Sequence, residues 1–470
     1  MAITRRQFLK RTGLATAGTL LGPALFENPF VRRAMADTIG NRYLVVVFLD
    51  GGNDGLNTVV PYASGALRTA YNGYRHVGGG GINLSQASLA ATAIGNDAAT
   101  GSQLALHPGF GSLKALYDLG KVAVIQGCGY PEYSLSHDES RSIWQTANPL
   151  GFGPYAGSGW LGRHLAGEYG GTQVPGVCID SAVAPELRQT TTSVLALNRL
   201  QDFGFPYDDF GDSSDQTRKR AAFQALYGEA AAEALAIRGY LGDSGSATLL
   251  SSESYPSAHD IYETERSTWS ATYDAVGRST ADDFREIAKI IYAQERSIPL
   301  PNISSHFFHV GNGGYDTHSD QGADEVDGQH YDLHKEIGDS VKAFYDDLAD
   351  MGAASRTCVV VWSEFSRRIP QNDNGTDHGS QGPMFVIGGG VTGGVYGRHP
   401  DIFTLDDDEN TIYSQAAIAH RSTDFRDVYG TILKHFVNMT PASILANVLP
   451  LDAGDPASYW TAANFDLGFL

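Results

Sequence analysis

Short apolar runs alternate with stretches of helical periodicity along most of the chain. The runs fall at 43–49, 122–126, 174–179, 307–310, 359–362 and 384–387, several of them rich in valine. A continuous run of this length, without polar alternation, is the pattern of a strand covered on both faces. Between them, helical spacing predicts helices at 113–119 and 331–351, another opened by Ser136 to Asp138 and containing Trp144, and one capped by Thr423 and Asp424 that runs to Val437. The order predicts an α/β fold, a three-layer sandwich with a mainly parallel central sheet. From about 181 to 297 the pattern is mostly helical, with periodic stretches at 218–241 and 282–294. With no long linker on either side, this reads as a helical insertion or cap on a single domain spanning 37–470.

The first 36 residues stand outside that pattern. Thr4-Arg5-Arg6-Gln7-Phe8-Leu9-Lys10 is a twin-arginine signal, a modest apolar stretch follows, and Ala34-Met35-Ala36 supplies a small-residue cleavage site. The apolar stretch holds Thr, Gly and Pro and falls short of the ~20 residues of a spanning helix. A periplasmic or secreted protein is therefore expected, with no membrane association after cleavage. Composition makes the rest globular, at 42% hydrophobic residues and a formal charge of −20. Losing the leader, with its six basic residues and one acidic residue, would bring the charge to −25. Such a surface repels nucleic acid and anionic lipid, and neither is expected as a partner. Cys128, Cys178 and Cys358 each sit in apolar surroundings and read as core residues.

The chemistry concentrates just past the runs. Asp50 and Asp54 follow the first, Ser136 and His137 the second, Asp316 and His318 the fourth, and Glu364 the fifth; Asp377 and His378 lie in the next loop. If the runs are parallel strands, these residues share one sheet edge, where ligands of open α/β sheets bind. Carboxylates crowded there would raise one another's pKa unless a cation neutralised them. Mixed oxygen and nitrogen donors point to a divalent metal, Zn or Mn first, with Ca or Fe as alternatives. The metal ligands expected are Asp50, Asp54, Asp316, His318, Glu364, Asp377 and His378. Ser136 is the candidate nucleophile, or an N-cap hydroxyl, and His137 a ligand or acid/base partner. His309 reads as a core histidine, His164 as a helix-end residue, and Arg163, Arg367 and Arg368 as anion clamps.

Gly-Gly-x-Asp-Gly-Leu at 51–56, Ser136-His137, Gly-Tyr-Asp-Thr-His at 314–318, Trp-Ser-Glu-Phe at 362–365, Gly-Thr-Asp-His-Gly at 375–379 and Thr-Asp-Phe-Arg at 423–426 occur in this order. With the twin-arginine leader, the set resembles the domain-of-unknown-function family numbered 1501. That resemblance implies a fold related to the alkaline phosphatase and sulfatase superfamily, with Asp and His metal ligands and a hydroxyl nucleophile at the sheet edge. Asp377-His378 would match the adjacent Asp-His ligand pair, Asp316 and His318 the other ligands, and Asp54 or Asp50 the carboxylate after the first strand. A last histidine ligand would be His399 or His420, and no Cys-x-Pro-x-Arg sulfatase motif is present. The expected function is hydrolysis of a phosphate or sulfate ester, on a small-molecule or saccharide substrate. The alternatives are an esterase using Ser136 in a triad, and a non-catalytic calcium protein that binds a polysaccharide or protein partner.

Overall fold

The computed structural model describes residues 39–76, 80–131, 133–148, 157–204, 213–231, 236–322, 328–403, 421–449, 460 and 464–470. The expected leader at 1–36 and His420 lie outside the described residues. In chain order the strands are β1 (Tyr43–Asp50), β2 (Val59–Pro61), β3 (Ala93–Asn96), β4 (Gln103–Leu106), β5 (Val122–Gly129) and β6 (Gly176–Ile179). They continue as β7 (Val194–Leu197), β8 (Phe307–Gly313), β9 (Thr357–Ser363), β10 (Gly382–Gly388), β11 (Gly394–Tyr396) and β12 (Thr423–Asp424). The helices that matter here are α1 (Ala66–Tyr74), α2 (Gly111–Asp118), α3 (His137–Thr146), α4 (Trp160–Glu168) and α5 (Ser213–Ala231). After them come α6 (Ala236–Glu265), α7 (Ser267–Val276), α8 (Ser279–Glu295), α9 (Gln329–Asp350) and α10 (Phe425–Thr431).

Nine strands form one sheet in the order β11-β5-β10-β9-β1-β8-β6-β7, with β12 also on β5, and β2, β3 and β4 form a small separate sheet. The apolar run of β1 lies at the centre, parallel to both β8 and β9. Its residues alternate between two cores: Tyr43, Val45, Val47 and Leu49 enter one, and Leu44, Val46 and Phe48 the other. The first core is completed by Leu113 and Leu116 of α2, Phe284, Ile287 and Ile291 of α8, and Ile337, Val341 and Phe344 of α9. The second is completed by Ile143 and Trp144 of α3, Trp160 and Leu165 of α4, and Val428 and Tyr429 of α10. Helices thus cover both faces, which is why β1 needs no polar side. Cys128, Cys178 and Cys358 are all free and buried, as core residues.

Two elements depart from the expected plan. Strand β10 runs antiparallel to both β9 and β5. The irregular loop 364–381 carries the chain back without the helical crossover that a parallel return uses. Strand β7 lies inside the stretch expected to be helical and pairs with β6 at the sheet edge. The same stretch then yields α5 to α8, and α8 is buried against the sheet as part of its covering layer.

Register aligns the functional ends. Asp50 lies beside Gly313 and Leu49 beside Ser363. The loops after β1, β8 and β9 therefore leave from one line, and α3 starts nearby with His137, whose ring reaches Glu364 just past β9.

Candidate functional site

Three loops are held in close contact before any side-chain chemistry is considered. Gly51 has φ of +122°, and a Cβ there would lie 2.3 Å from the backbone N of Asp316. A Cβ on Gly375 would lie 2.3 Å from the carbonyl of His318. Both contacts require glycine, since a side chain at either position would push the loops apart. The backbone N–H of Thr376 donates to the Thr317 carbonyl at 3.0 Å, and that of Gln321 to the Asn374 carbonyl at 3.1 Å. The Gly-Tyr-Asp-Thr-His and Gly-Thr-Asp-His-Gly stretches thus form one unit.

On that unit Asp316, His318 and His378 meet. The Nε2 atoms of His318 and His378 are 2.9 Å apart, and each is 3.2 Å from Asp316 Oδ1. His137 approaches the other Asp316 oxygen at 3.6 Å from Nε2. One ligand atom from each of His137, Asp316 and His378 lies within 4.8 Å of the others. Four ligands at bonds of about 2.0–2.1 Å in a tetrahedron have edges of roughly 3.3 Å, and the 2.9, 3.2 and 3.6 Å separations lie close to that.

The second nitrogen of each ring decides its tautomer. Nδ1 of His378 faces the Leu135 carbonyl at 2.7 Å, that of His318 faces Asp377 at 3.0 Å, and that of His137 faces Glu364 at 2.8 Å. These oxygens only accept, so every Nδ1 carries the proton and every neutral Nε2 presents a lone pair. Two lone pairs 2.9 Å apart, beside a carboxylate, repel unless a proton or a metal ion lies among them. Rings oriented through Nδ1 by carboxylates and carbonyls are how proteins prepare histidine for metal.

The site charges fit this arrangement. The hydrogen bond that its Nδ1 donates to Glu364 holds the pKa of His137 above the usual imidazole value. Burial pulls that of His378 down. Burial would raise Asp316, but the Arg367 guanidinium at 2.8 Å, with His378 and His318, holds it below the ordinary carboxylate value.

The remaining expected residues fall around this group in distinct places. Glu364 is fully buried, accepts from the Gly51 N–H at 2.9 Å and orients His137. Asp377 orients His318 and accepts from Asn372 at 3.0 Å. Asp50 pairs with Arg141 at 2.6 Å. Asp54 is buried in a bidentate pair with Arg75 at 2.5 and 2.8 Å, both side chains at 0% exposure. Ser136 precedes His137 at the start of α3, exposed; its hydroxyl caps nothing and makes no hydrogen bond among the described residues. His399 is buried and bonded to the Pro400 carbonyl. His309 is a core residue bonded to buried Glu186, and His164 is buried within α4.

Of the expected anion clamps, Arg163 holds the carbonyls of Ser158, Thr146 and Val448. Arg367 donates to Gly51, Gly52, Tyr315, Thr376 and Asp316 and is the bracket of the loops. Arg368 is 8% exposed, and its carbonyl accepts from Arg75 at 3.0 Å. Two residues that the motifs did not mark complete the support. Arg75, at the end of α1, neutralises Asp54, and Gln321 joins Asp54 at 2.6 Å to Thr317 at 3.1 Å and Thr376 at 2.8 Å. Neither belongs to a local pattern; only an unpaired Asp54 in an apolar setting could have signalled a missing cation.

A second titrating group lies on the same edge. Burial, and then the charges of Asp282, Glu286 and Asp180, push the pKa of Asp283 on α8 from 3.8 to about 7. An acid raised on folding costs nothing below the unfolded value and most above the folded one, so the penalty grows from about pH 4 to pH 7. Asp283→Asn should therefore stabilise the protein by roughly 2–3 kcal/mol more at pH 8 than at pH 5 in chemical denaturation. An equal effect at both values would contradict that origin.

No curated protein matches this sequence. Residues 300–434, which run from before β8 through α10 and carry Asp316, His318, Glu364, Asp377 and His378, match the model of a family described as a protein of unknown function (DUF1501).

Proposed function

We propose that the protein is an exported, metal-dependent hydrolase of phosphate or sulfate esters. The observation that carries the reading is the facing pair of His318 and His378 Nε2 atoms at Asp316, with each Nδ1 fixed by an acceptor. Imidazole-rich donors suit zinc, the carboxylate keeps manganese as the second choice, and calcium sites are built from oxygen alone. A bound divalent cation supplies Lewis-acid polarisation of an ester oxygen and eases deprotonation of a nearby hydroxyl.

The chain's own residues would do the rest. Glu364 and Asp377 keep the proton on Nδ1 of His137 and His318. Arg367 holds Asp316 ionised and in place. Ser136, with an unengaged hydroxyl beside His137, is the proposed nucleophile. Its Oγ would bond to phosphorus or sulfur as the ester P–O or S–O bond breaks. The alcohol leaves carrying a proton in place of the one serine loses, and water then cleaves the seryl ester. Because that hydroxyl makes no hydrogen bond to a histidine among the described residues, a Ser-His-Asp triad has less support.

An alkaline-phosphatase-like relation and export through the leader at 1–36 belong to the same reading. Among the described residues no helix is long and apolar enough to cross a membrane, and the acidic charge argues against a nucleic-acid partner. Aryl phosphate and aryl sulfate esters test the activity, with metal content measured in the same samples. Ser136→Ala should keep its metal and lose about 100-fold or more in turnover. Metal-loaded wild type that turns over no ester would overturn the reading.

A further inference from the structure

An open cleft of about 520 Å³ lies on the same carboxyl edge, beside the imidazole–carboxylate group. It is connected to that group through the chain: Arg141, in its wall, sits one turn after His137 on α3, and Gly313, also in its wall, ends the strand that leads to Asp316. Its volume falls within the ~300–1,000 Å³ of small-molecule sites.

The lining is rich in hydrogen-bond acceptors that the fold leaves unused. Asn312 is 7% exposed, spends its amide N–H on Thr280, and has no partner for Oδ1. The carboxyl of Asp283 makes no hydrogen bond among the described residues, and Asp180 accepts only from its neighbour Ser181. An unsatisfied buried acceptor is costly, so a ligand that brings O–H donors gains by binding here. Arg188 is exposed, forms no ion pair among the described residues, and offers donors in return. Ile179, Val183 and Pro185 give an apolar wall suited to the C–H face of a ring.

The charges separate the two halves of a substrate. Asp50, Asp180 and Asp283 line the cleft against Arg141 and Arg188, and Arg141 is already paired with Asp50. A phosphate or sulfate group would be repelled there. We propose that this cleft binds the polyhydroxylated alcohol half of the substrate, a saccharide or cyclitol, while its ester group lies at His137, Asp316, His318 and His378. That the polyol is half of a substrate and that its ester group lies at the imidazoles rest on the hydrolase reading; polyol binding in the cleft does not.

Saturation-transfer NMR and calorimetry on chelator-treated protein test the cleft without turnover. The probes are glucose, N-acetylglucosamine, trehalose and myo-inositol, with ethanolamine and inorganic phosphate as controls. At least one polyol should bind, Asp283→Ala and Asp180→Ala should each weaken it about tenfold or more, and Arg188→Ala should weaken it less. His318→Ala should leave polyol binding unchanged. Failure of every polyol overturns the proposal, as does binding of ethanolamine alone or binding that none of the cleft variants alters. Metal loading measured on untreated protein from the same preparation tests the hydrolase reading separately, so the two can fail independently.

Discussion

Purified without chelator, the protein is expected to hold about one zinc or manganese ion per chain or more, and Asp316→Ala and His378→Ala almost none. Every close pair of donors at the site includes one or both of these residues: Asp316 faces His137, His318 and His378, and His378 faces His318 across 2.9 Å. Removing either leaves no complete set. Glu364→Gln and Asp377→Asn act one bond further out, on Nδ1 of His137 and His318. Loss of such outer partners costs about 10–100-fold in metal affinity, so these variants should bind weakly rather than not at all. Elemental analysis with competitive titration separates the two classes. Full metal occupancy in Asp316→Ala would remove the basis for the site.

The largest loss of stability is expected from Arg75→Met, at about 3–5 kcal/mol, because it strands the Asp54 carboxylate in a fully buried position. Gln321 links the pair to Thr317 and Thr376, each next to a proposed ligand or its orienter. Loosening of both loops should accompany the loss. Adding Asp54→Leu to Arg75→Met should recover most of the stability, since an apolar pair needs no compensation. Urea unfolding of the three proteins measures this. A loss below about 1 kcal/mol in the single variant would mean that solvent reaches Asp54.

Much of the fold was legible because a doubly covered strand writes itself as an apolar run. The 43–49, 307–310 and 359–362 runs became β1, β8 and β9, lengthened by one to three residues. Direction was not legible: the run at 384–387 looks the same whether β10 runs with β9 or against it. Nor was β7, whose four residues at the sheet edge alternate only between half-buried and buried. At the site, spacing drew attention to Asp316, His318, Asp377 and His378 together, and the structure brings them together. What spacing could not divide was which of them face a common point and which orient a neighbour, because that depends on ring rotation. Asp54 is the clearest case. It follows β1 as Asp50 does, yet its partner Arg75 lies on a helix whose sequence gives no reason to turn a cation inward.

The proposed donors come from three places in the chain: the start of α3, the loop after β8 and the loop after β9. Gly375 must lie against His318 before His378 can face it. No N-terminal fragment ending before that loop can display the group, however well it folds. Ion uptake would therefore serve as a checkpoint, reporting that the chain has been synthesised through Gly379 and that these loops have met α3.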